Sequence, residues 1–297
     1  SAEERVERLM LEVYPSLEAY APIKARITVV EGDLKDPSFG LSDADWAMAT
    51  ARSTTIAHCG ALLLFTPESA DEVMETNLNG AMTAHRFARE AGLKTLHHVS
   101  TAYLVGAVQG EMEEAWVEEE PTFNNTYERS KWLAETRLRA LDKEHGLSTT
   151  VYRPSCIIGA YKDGRTLTFR TLYGYIDLFD QERRRLVKAE GPEGPSRHRM
   201  IYMLEIEGDR TRNIVPTDYV ADAMAHVMTH PEHHGGVYHL TNPSPPSRWE
   251  SNRWMVKGLG FKDLLLPSVA AAEPCDDCLS VSDGRAARFE QLFKGYL

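Results

Sequence analysis

Asn125-Thr-Tyr-Glu-Arg-Ser-Lys-Trp-Leu-Ala-Glu135 is the stretch that bears most on the fold, and its composition predicts a helix. Tyr127 and Lys131 are four residues apart, so a helix places the phenol and the ammonium on one face. A neighbouring ammonium favours the phenolate, so the pKa of Tyr127 is expected to fall from its ordinary value near about 10. Tyr127 would then be a usable proton donor near neutral pH. Taken alone, the spacing also fits an ordinary surface helix.

Two β-rich runs lie on either side of this helix. The upstream run, within 96–106, ends at Ser100-Thr101, and the downstream run, within 148–159, is interrupted by Arg153-Pro154. Open parallel sheets bind their ligands beyond the carboxyl ends of the strands. The hydroxyl groups of Ser100 and Thr101 are therefore expected at a ligand site.

A strand with a hydroxyl, a helix with Tyr and Lys, and a strand ending in Arg-Pro follow one another in an order that resembles the extended short-chain dehydrogenase/reductase superfamily. The resemblance implies a catalytic triad of Thr101, Tyr127 and Lys131. Four further segments are similar to parts of the family fold. Segment 27–34 is similar to the third strand, and 55–61 to the fourth strand with the small-residue turn beside the pyrophosphate. Segment 77–80 is similar to the Asn-x-x-Gly helix start, and 213–223 to the late strand and helix.

The same resemblance implies the residues that contact the ligands. The implied cofactor is NADPH, with NADH as the alternative. The implied cofactor-binding residues are Asp33, Leu34, Cys59, Gly60, Ala61, Asn77, Ser100, Lys131, Arg153, Pro154, Ser155 and Cys156. The implied substrate-binding residues are Thr101, Ala102, Tyr103, Tyr127 and Tyr173.

Some wording resembles a narrower group, the thioester reductases, which include fatty acyl-CoA reductases of the male-sterility type and terminal reductase domains of peptide and polyketide synthases. The segments concerned are 32–41, 98–103, 127–132 and 236–243. The resemblance implies NADPH-dependent reduction of an acyl thioester, carried by coenzyme A or a phosphopantetheine carrier protein, to an aldehyde. Whether a second reduction gives the alcohol stays open.

Three alternatives to a thioester reductase stay open. A sugar-nucleotide epimerase or dehydratase uses the same Tyr and Lys, although those enzymes usually carry Ser-Ser-x-x-Val-Tyr-Gly where this chain has a segment ending Tyr103-Leu-Val-Gly106. A reductase of free ketones or aldehydes would release no thiol. A non-catalytic nucleotide-binding relative would use the fold without the chemistry.

One departure from the family concerns the start of the fold. Family members open with a strand, a Gly-x-x-Gly-x-x-Gly loop and a helix, whose N–H groups hold the pyrophosphate. No such motif occurs here, and residues 3–13 already have the pattern of the helix that follows the second strand. Either the sequence begins partway through a longer protein or cofactor binding has been lost. The first is expected, because a parallel sheet without its central strand leaves backbone groups unpaired on both neighbours.

Alternating apolar runs and helical patterns predict an α/β fold, a doubly wound parallel Rossmann-type sheet with a smaller, mostly helical C-terminal substrate lobe. Strands are predicted near 27–30, 54–57, 95–100, 149–153, 213–215 and 237–240, and helices at 69–91, 127–145 and 217–229. The predicted nucleotide-binding domain is 1–160 with 213–243, and the lobe is 161–212 with 244–297. The aromatic segment 167–179 is expected to pack inside the lobe, with an acyl-chain channel as the alternative.

Composition indicates a soluble enzyme, and four cysteines are too few for a disulfide framework, which predicts a reducing compartment such as the cytoplasm. The family resemblance leaves both a monomer and a homodimer open. The 297 residues are 42% hydrophobic, and no apolar run approaches the length of a membrane span. The net charge of −11 excludes a typical nucleic-acid binder. The basic run Arg183-Arg-Arg185 is predicted to be a solvated helix face, with a phosphate landing site as the alternative. Cys275-Asp-Asp-Cys278 lacks a second pair, so two loop thiols and no metal site are expected.

Overall fold

The computed structural model describes residues 1–14, 16–108, 110–167, 172–201, 211–265 and 276–280. Within them the helices are α1 Ala2–Val13, α2 Leu17–Lys24, α3 Asp43–Arg52, α4 Ala70–Glu90, α5 Thr126–His145, α6 Leu172–Glu190, α7 Thr217–Thr229 and α8 Arg248–Gly258. The strands are β1 Ala57–His58, β2 Thr95–Val99, β3 Ser148–Pro154, β4 Cys156–Ile158, β5 Arg199–Ile201, β6 Ile214–Pro216, β7 Val237–Leu240, β8 Asp263–Leu265 and β9 Cys278–Ser280. No helix in these ranges combines the length and the apolar character needed to cross a membrane.

The chain divides into two compact units. The first comprises Ser1–Ser155, Gly159–Leu167 and Pro216–Leu240, and the remaining described residues form the second. In the first unit β1, β2, β3 and β7 form a parallel sheet in that order. Parallel neighbours bring their carboxyl ends to the same edge of the sheet, which is where the candidate site lies.

Small side chains let two helices pack closely within the first unit. Ala81, Ala84 and Ala88 are fully buried on one face of α4, at the spacing that keeps residues on the same side of a helix. They join a core cluster completed by Leu96, Ala134, Leu138 and Leu147 from β2, α5 and the turn before β3. This cluster fixes α5 against the sheet, and α5 carries the predicted catalytic side chains.

Two of the predicted strands differ from the structure. Residues 27–30 form no strand, and the strand predicted at 54–57 is reduced to Ala57–His58. A β-strand exists only where a second strand accepts its backbone hydrogen bonds. Among the described strands β1 pairs only with β2, and 27–30 pairs with none, so the apolar pattern of 27–30 produced a wrong prediction.

The second unit has its own core and a sheet that the sequence pattern did not predict. The short strands β8, β5 and β9 form a parallel sheet in that order, and β4 pairs with β6. The core contains Phe179, Leu186, Met200, Val256, Phe261 and Leu264. Phe179 lies at the end of the aromatic segment 167–179, so its role in this unit is packing; residues 168–171 of that segment lie outside the described ranges.

Two local predictions for the second unit can be compared with the structure. Arg183, Arg184 and Arg185 form ion pairs with the nearby acids Asp177, Asp180 and Glu182 on their own helix, so the basic run is largely neutralised where it stands. Cys278 lies in β9 and is disulfide-bonded, so the prediction of a free loop thiol is wrong for it. Cys275 lies outside the described residues.

Candidate active site

The end of β2 presents the first side chains of the site. Thr101 is 4% exposed, and its Oγ1 accepts a hydrogen bond of 3.2 Å from the main-chain N of Tyr103. This hydrogen bond caps the start of a short 3-10 helix, Ala102–Val105. Gly106 ends this turn at a φ of 61°, where an added Cβ would lie 2.2 Å from the main-chain O of Thr122. Only glycine fits there, so the turn after β2 is fixed against the segment that leads into α5.

The start of α5 is secured by a buried cap. Asn125 Oδ1 accepts a hydrogen bond of 2.9 Å from the main-chain N of Glu128. The Glu128 carboxylate is fully buried, and it accepts hydrogen bonds from the main-chain N of Asn124 and from the amides of Asn124 and Asn125. Burial raises the pKa of Glu128, and the hydrogen bonds from Asn124 offset part of that rise. The cap fixes the rotation of the helix and hence the direction in which Tyr127 points.

Lys131 reaches the end of β2 from α5. Its Nζ donates a hydrogen bond of 2.9 Å to the main-chain O of Val99 and lies 5.9 Å from the centroid of the Tyr127 ring. Burial lowers the pKa of Lys131 to about 8, although the negative charge of Glu135 opposes the change. At neutral pH most molecules therefore carry a buried cation at this strand end.

The phenol of Tyr127 is hydrogen-bonded to the side chain of Thr101, and its ring packs edge-on against Phe65 at 6.0 Å. Burial raises the pKa of Tyr127 above its ordinary value, and the Thr101 bond offsets only part of that change. The expectation of a lowered pKa for Tyr127 is therefore wrong, because desolvation of the phenolate, joined by the negative charge of Glu128, outweighs the Thr101 bond. The phenol is thus a protonated group that can donate.

Asn77 connects the turn after β1 with α5. Its Oδ1 accepts from the main-chain N of Leu62 at 2.7 Å, and its Nδ2 donates to the main-chain O of Leu62 at 3.1 Å and to Ser130 Oγ at 2.9 Å. Ser130 Oγ in turn donates to the main-chain O of Tyr127 at 2.8 Å. Asn77 therefore links this turn to α5 next to Tyr127.

Close approaches bring the predicted nucleotide-side residues together. An added Cβ on Gly60 would lie 2.8 Å from Leu34 Cδ1, and one on Gly80 would lie 3.3 Å from His58 Cε1. Asp33, exposed in the same turn as Leu34, accepts a hydrogen bond of 2.9 Å from the main-chain N of Lys35. The segment 32–34 thus contacts the turn 59–61 through Leu34 and Gly60.

Cys59 begins that turn and shares an environment with Lys131. Cys59 is exposed, but the surrounding protein partly desolvates its thiol and so raises the thiol pKa, and the nearby Lys131 cation offsets part of the change. The turn 59–61 therefore lies on the same side of the site as the buried ammonium. Ala61 is exposed beside it.

The side chains at the end of β3 offer fewer contacts to a cofactor than the sequence predicted. The Arg153 guanidinium is 1% exposed and is held by Glu135, so any cofactor contact at this position is left to its main chain. Pro154 is buried, and Ser155 Oγ, like Ser100 Oγ at the end of β2, is buried without a hydrogen-bond partner among the described residues. Cys156 and Tyr173 belong to the second unit, in β4 and α6, and both are half-buried.

Three buried groups near Lys131 were not anticipated. His58 and His98 stack with ring centroids 5.3 Å apart, and burial, aided by the Lys131 charge, lowers the pKa of His58 to about 4. Burial also lowers the pKa of His98. Glu135 lies one helical turn beyond Lys131. The sequence did contain one signal for a buried histidine, the pair His97-His98 inside an apolar run. Adjacent strand residues face opposite sides of a sheet, so each face of this strand must accommodate one histidine.

Across the described part of the chain, no cluster of His, Cys, Asp or Glu could hold a metal ion.

Comparison with known proteins identifies the family. A family model described as "Male sterility protein", an NAD-binding family, matches residues 1–224. The chain is 23% identical over 256 residues to the nonribosomal peptide synthetase asaC of Aspergillus flavus, covering 80% of this chain and 22% of that protein. It is 28% identical over 229 residues to a linear gramicidin synthase of Brevibacillus parabrevis, covering 74% of this chain and 4% of that protein. The chain thus spans less than a quarter of either relative.

The fold has a solved counterpart. The terminal R domain from the myxalamid PKS-NRPS biosynthetic pathway superposes with a TM-score of 0.73 at 24% identity, covering 99% of this chain and 69% of that chain. At this identity the likeness supports a shared fold, and the activity of that domain is not carried over by it.

Proposed function

Because this chain belongs to the male sterility protein family of NAD-binding domains, within the extended short-chain dehydrogenase/reductases, we propose that it reduces acyl thioesters with NADPH. The observation that carries the proposal is the meeting of Thr101, Tyr127 and Lys131 at the end of β2. The proposed product is an aldehyde, with the alcohol as the product of a second reduction. The proposed substrate is an acyl group on a phosphopantetheine carrier protein or on coenzyme A.

The first unit is the proposed nucleotide-binding domain, and the second unit is the proposed substrate lobe. Lys131, the turn 59–61 and the orphan hydroxyls of Ser100 and Ser155 fit a dinucleotide, since a ribose or phosphate can satisfy buried polar groups that the protein leaves without a partner. NADPH would supply the hydride for the carbonyl carbon of the thioester. The predicted contacts of Cys156 and Tyr173 remain part of this proposal.

The protein's own groups manage the oxygen and its proton. Tyr127 is protonated because it is buried, so it can donate a hydrogen bond to the thioester oxygen and then transfer its proton there. Thr101 holds the phenol, and the Lys131 cation stabilises the phenolate that remains. The resulting thiohemiacetal breaks its C–S bond, and its hydroxyl proton moves to the sulfur, which gives an aldehyde and a thiol.

A coupled assay on the intact protein tests the proposal. Loss of NADPH absorbance and appearance of free thiol are followed together, with an acyl-CoA and with the same acyl group on a carrier protein. One thiol for each NADPH supports an aldehyde product, and one for each two supports the alcohol. NADPH consumption with a free ketone but with no thioester would replace the proposal by a carbonyl reductase. Turnover of a nucleotide sugar without net NADPH consumption would replace it by an epimerase.

A further inference from the structure

Glu135 and Arg153 form a buried two-point ion pair beside the site. Arg153 Nε donates to Glu135 Oε1 at 3.1 Å, and Nη2 donates to Oε2 at 2.7 Å. The two side chains are 3% and 1% exposed. A buried carboxylate held by both oxygens is fixed in orientation, and loss of either partner leaves an uncompensated charge.

The remaining donors of Arg153 hold neighbouring backbone. Nη1 donates to the main-chain O of Ala115 at 2.9 Å and lies 3.3 Å from His239 Nε2. Glu114 Oε1 accepts from the main-chain N of His239 at 2.6 Å. Arg153, on β3, is therefore held by α5, by β7 and by the acidic segment before α5, and it can hardly move away from Glu135.

Glu135 would have a different partner without Arg153. It lies four residues after Lys131 on α5, the spacing at which oppositely charged side chains pair on a helix. Among the ion pairs of the described residues, Lys131 has none with Glu135, and its Nζ instead donates to Val99. Tyr127, Cys59, His58 and His98 also face Lys131 from α5, the turn after β1, β1 and β2. Of these groups Glu135 is the one engaged in an ion pair, with Arg153, while the raised pKa values of Tyr127 and Cys59 keep the phenol and the thiol protonated at neutral pH.

We propose that Arg153 is a positioning residue that sequesters Glu135, so that Lys131 stays on Val99 with its ammonium available to a ligand beyond β2. The catalytic importance of this role rests on the proposed function, since a Lys131 paired with Glu135 could not serve Tyr127 or a cofactor. The arrangement of Arg153, Glu135 and Lys131 itself does not depend on which substrate binds. Arg153 therefore acts on the chemistry through Glu135 and Lys131, and its guanidinium touches no reacting atom.

Side-chain ¹⁵N NMR of lysine-labelled intact protein tests this assignment, with the Lys131 signal identified by its loss in Lys131→Met. Arg153→Leu should free Glu135 to pair with Lys131 and raise the Lys131 titration midpoint by about one pH unit or more. Glu135→Gln should lower the midpoint, because the Arg153 charge is then left unpaired nearby. The double variant Glu135→Leu with Arg153→Leu should return it to near the wild-type value.

Opposite shifts in the two single variants, with recovery in the double variant, show that both charges act on Lys131, and Arg153→Lys separates partner control from a plain charge effect. Arg153→Lys keeps the positive charge but cannot hold both oxygens of Glu135, so it should also raise the midpoint. Arg139 lies on the same helix as Glu135 and forms an exposed ion pair with Glu118, which precedes the helix. Arg139→Leu is therefore the matched control and should leave the midpoint unchanged. Should Arg153→Leu fail to fold, a higher midpoint in Arg153→Lys than in the wild type still supports the assignment. Equal midpoints in those two folded proteins would overturn it. An absent thioester reductase activity beside the predicted shifts would remove the proposed function alone.

Discussion

Lys131 Nζ donates to the main-chain O of Val99 over 2.9 Å, and this bond holds a buried cation at the end of the strand that leads to Thr101. Lys131 is 3% exposed, so its ammonium loses most of its hydration on folding. One hydrogen bond does not replace that hydration, which is why burial lowers the pKa of Lys131 to about 8. The site therefore retains a group that works against the stability of the fold.

Replacing Lys131 by methionine should stabilise the protein while removing activity. A fall in the lysine pKa from 10.5 to about 8 corresponds to roughly 3 kcal/mol of unfavourable interaction. The lost bond to Val99 offsets about 1 kcal/mol, which leaves a gain of roughly 2 kcal/mol in the free energy of unfolding at pH 7. Denaturant unfolding measures the gain, and the coupled NADPH and thiol assay measures the loss.

The pH dependence of that gain provides its control. Between pH 8 and 10.5 the unfolded wild-type lysine still holds its proton while the folded one has released it, so wild-type stability rises with pH through this window. The advantage of Lys131→Met should therefore shrink as the pH rises from 8 to 10.5. A variant less stable than the wild type at pH 7 would show that the Val99 bond outweighs desolvation.

Asn77→Ala should destabilise the protein strongly, because Asn77 makes three hydrogen bonds to the turn after β1 and to α5. Its loss leaves buried partners at Leu62 and Ser130, at roughly 1–3 kcal/mol for each one that water cannot reach. Asn79→Ala is the matched control, since Asn79 is exposed on the same helix and should change stability by less than about 0.5 kcal/mol. Denaturant unfolding of the two variants compares them, and similar losses would contradict the role of Asn77.

The sequence predicted the central elements of the first unit well. β2, α5 and β3 occupy Thr95–Val99, Thr126–His145 and Ser148–Pro154, against predictions of 95–100, 127–145 and 149–153. These elements combine a long periodic pattern with recognisable ends, such as the Asn125 cap and Gly146 at the end of α5. The same pattern placed Thr101, Tyr127 and Lys131 on elements that converge.

What the sequence could not provide depends on neighbours distant in the chain. Residues 27–30 have a strand pattern, but whether a strand forms depends on a partner, which local sequence does not reveal. The pKa of Tyr127 rises because the phenol is buried, and a four-residue spacing to Lys131 carries no information on burial. Arg153 and Glu135 are 18 residues apart, and each resembles an ordinary charged residue until the fold joins them.

Acid should destabilise the protein through His58. Its folded pKa is about 4 against an ordinary value of 6.5, so between these values the unfolded chain binds a proton that the folded protein refuses. Stability is therefore lost as the pH falls from 6.5 to 4, by up to about 3 kcal/mol from this residue. His58→Phe should reduce the slope of unfolding free energy against pH within that window.

The comparison uses slopes, so that a packing change caused by the phenylalanine does not matter. Above pH 6.5 the difference in unfolding free energy between His58→Phe and the wild type should be constant. The stacked neighbour His98 also resists protonation, so some acid dependence should survive in the variant. Slopes that coincide between pH 4 and 6.5 would show that His58 is protonated in the folded protein.

The most direct test of the central claim follows the hydride itself. The intact protein is given a thioester and NADPH deuterated at the transferred position of the nicotinamide, and the products are analysed by mass spectrometry. The account predicts an aldehyde with one deuterium on its former carbonyl carbon, one free thiol, and the loss of both in Tyr127→Phe with the fold retained. Thiol released without deuterium in the acyl product, or an unchanged yield of deuterated aldehyde from Tyr127→Phe, would contradict it.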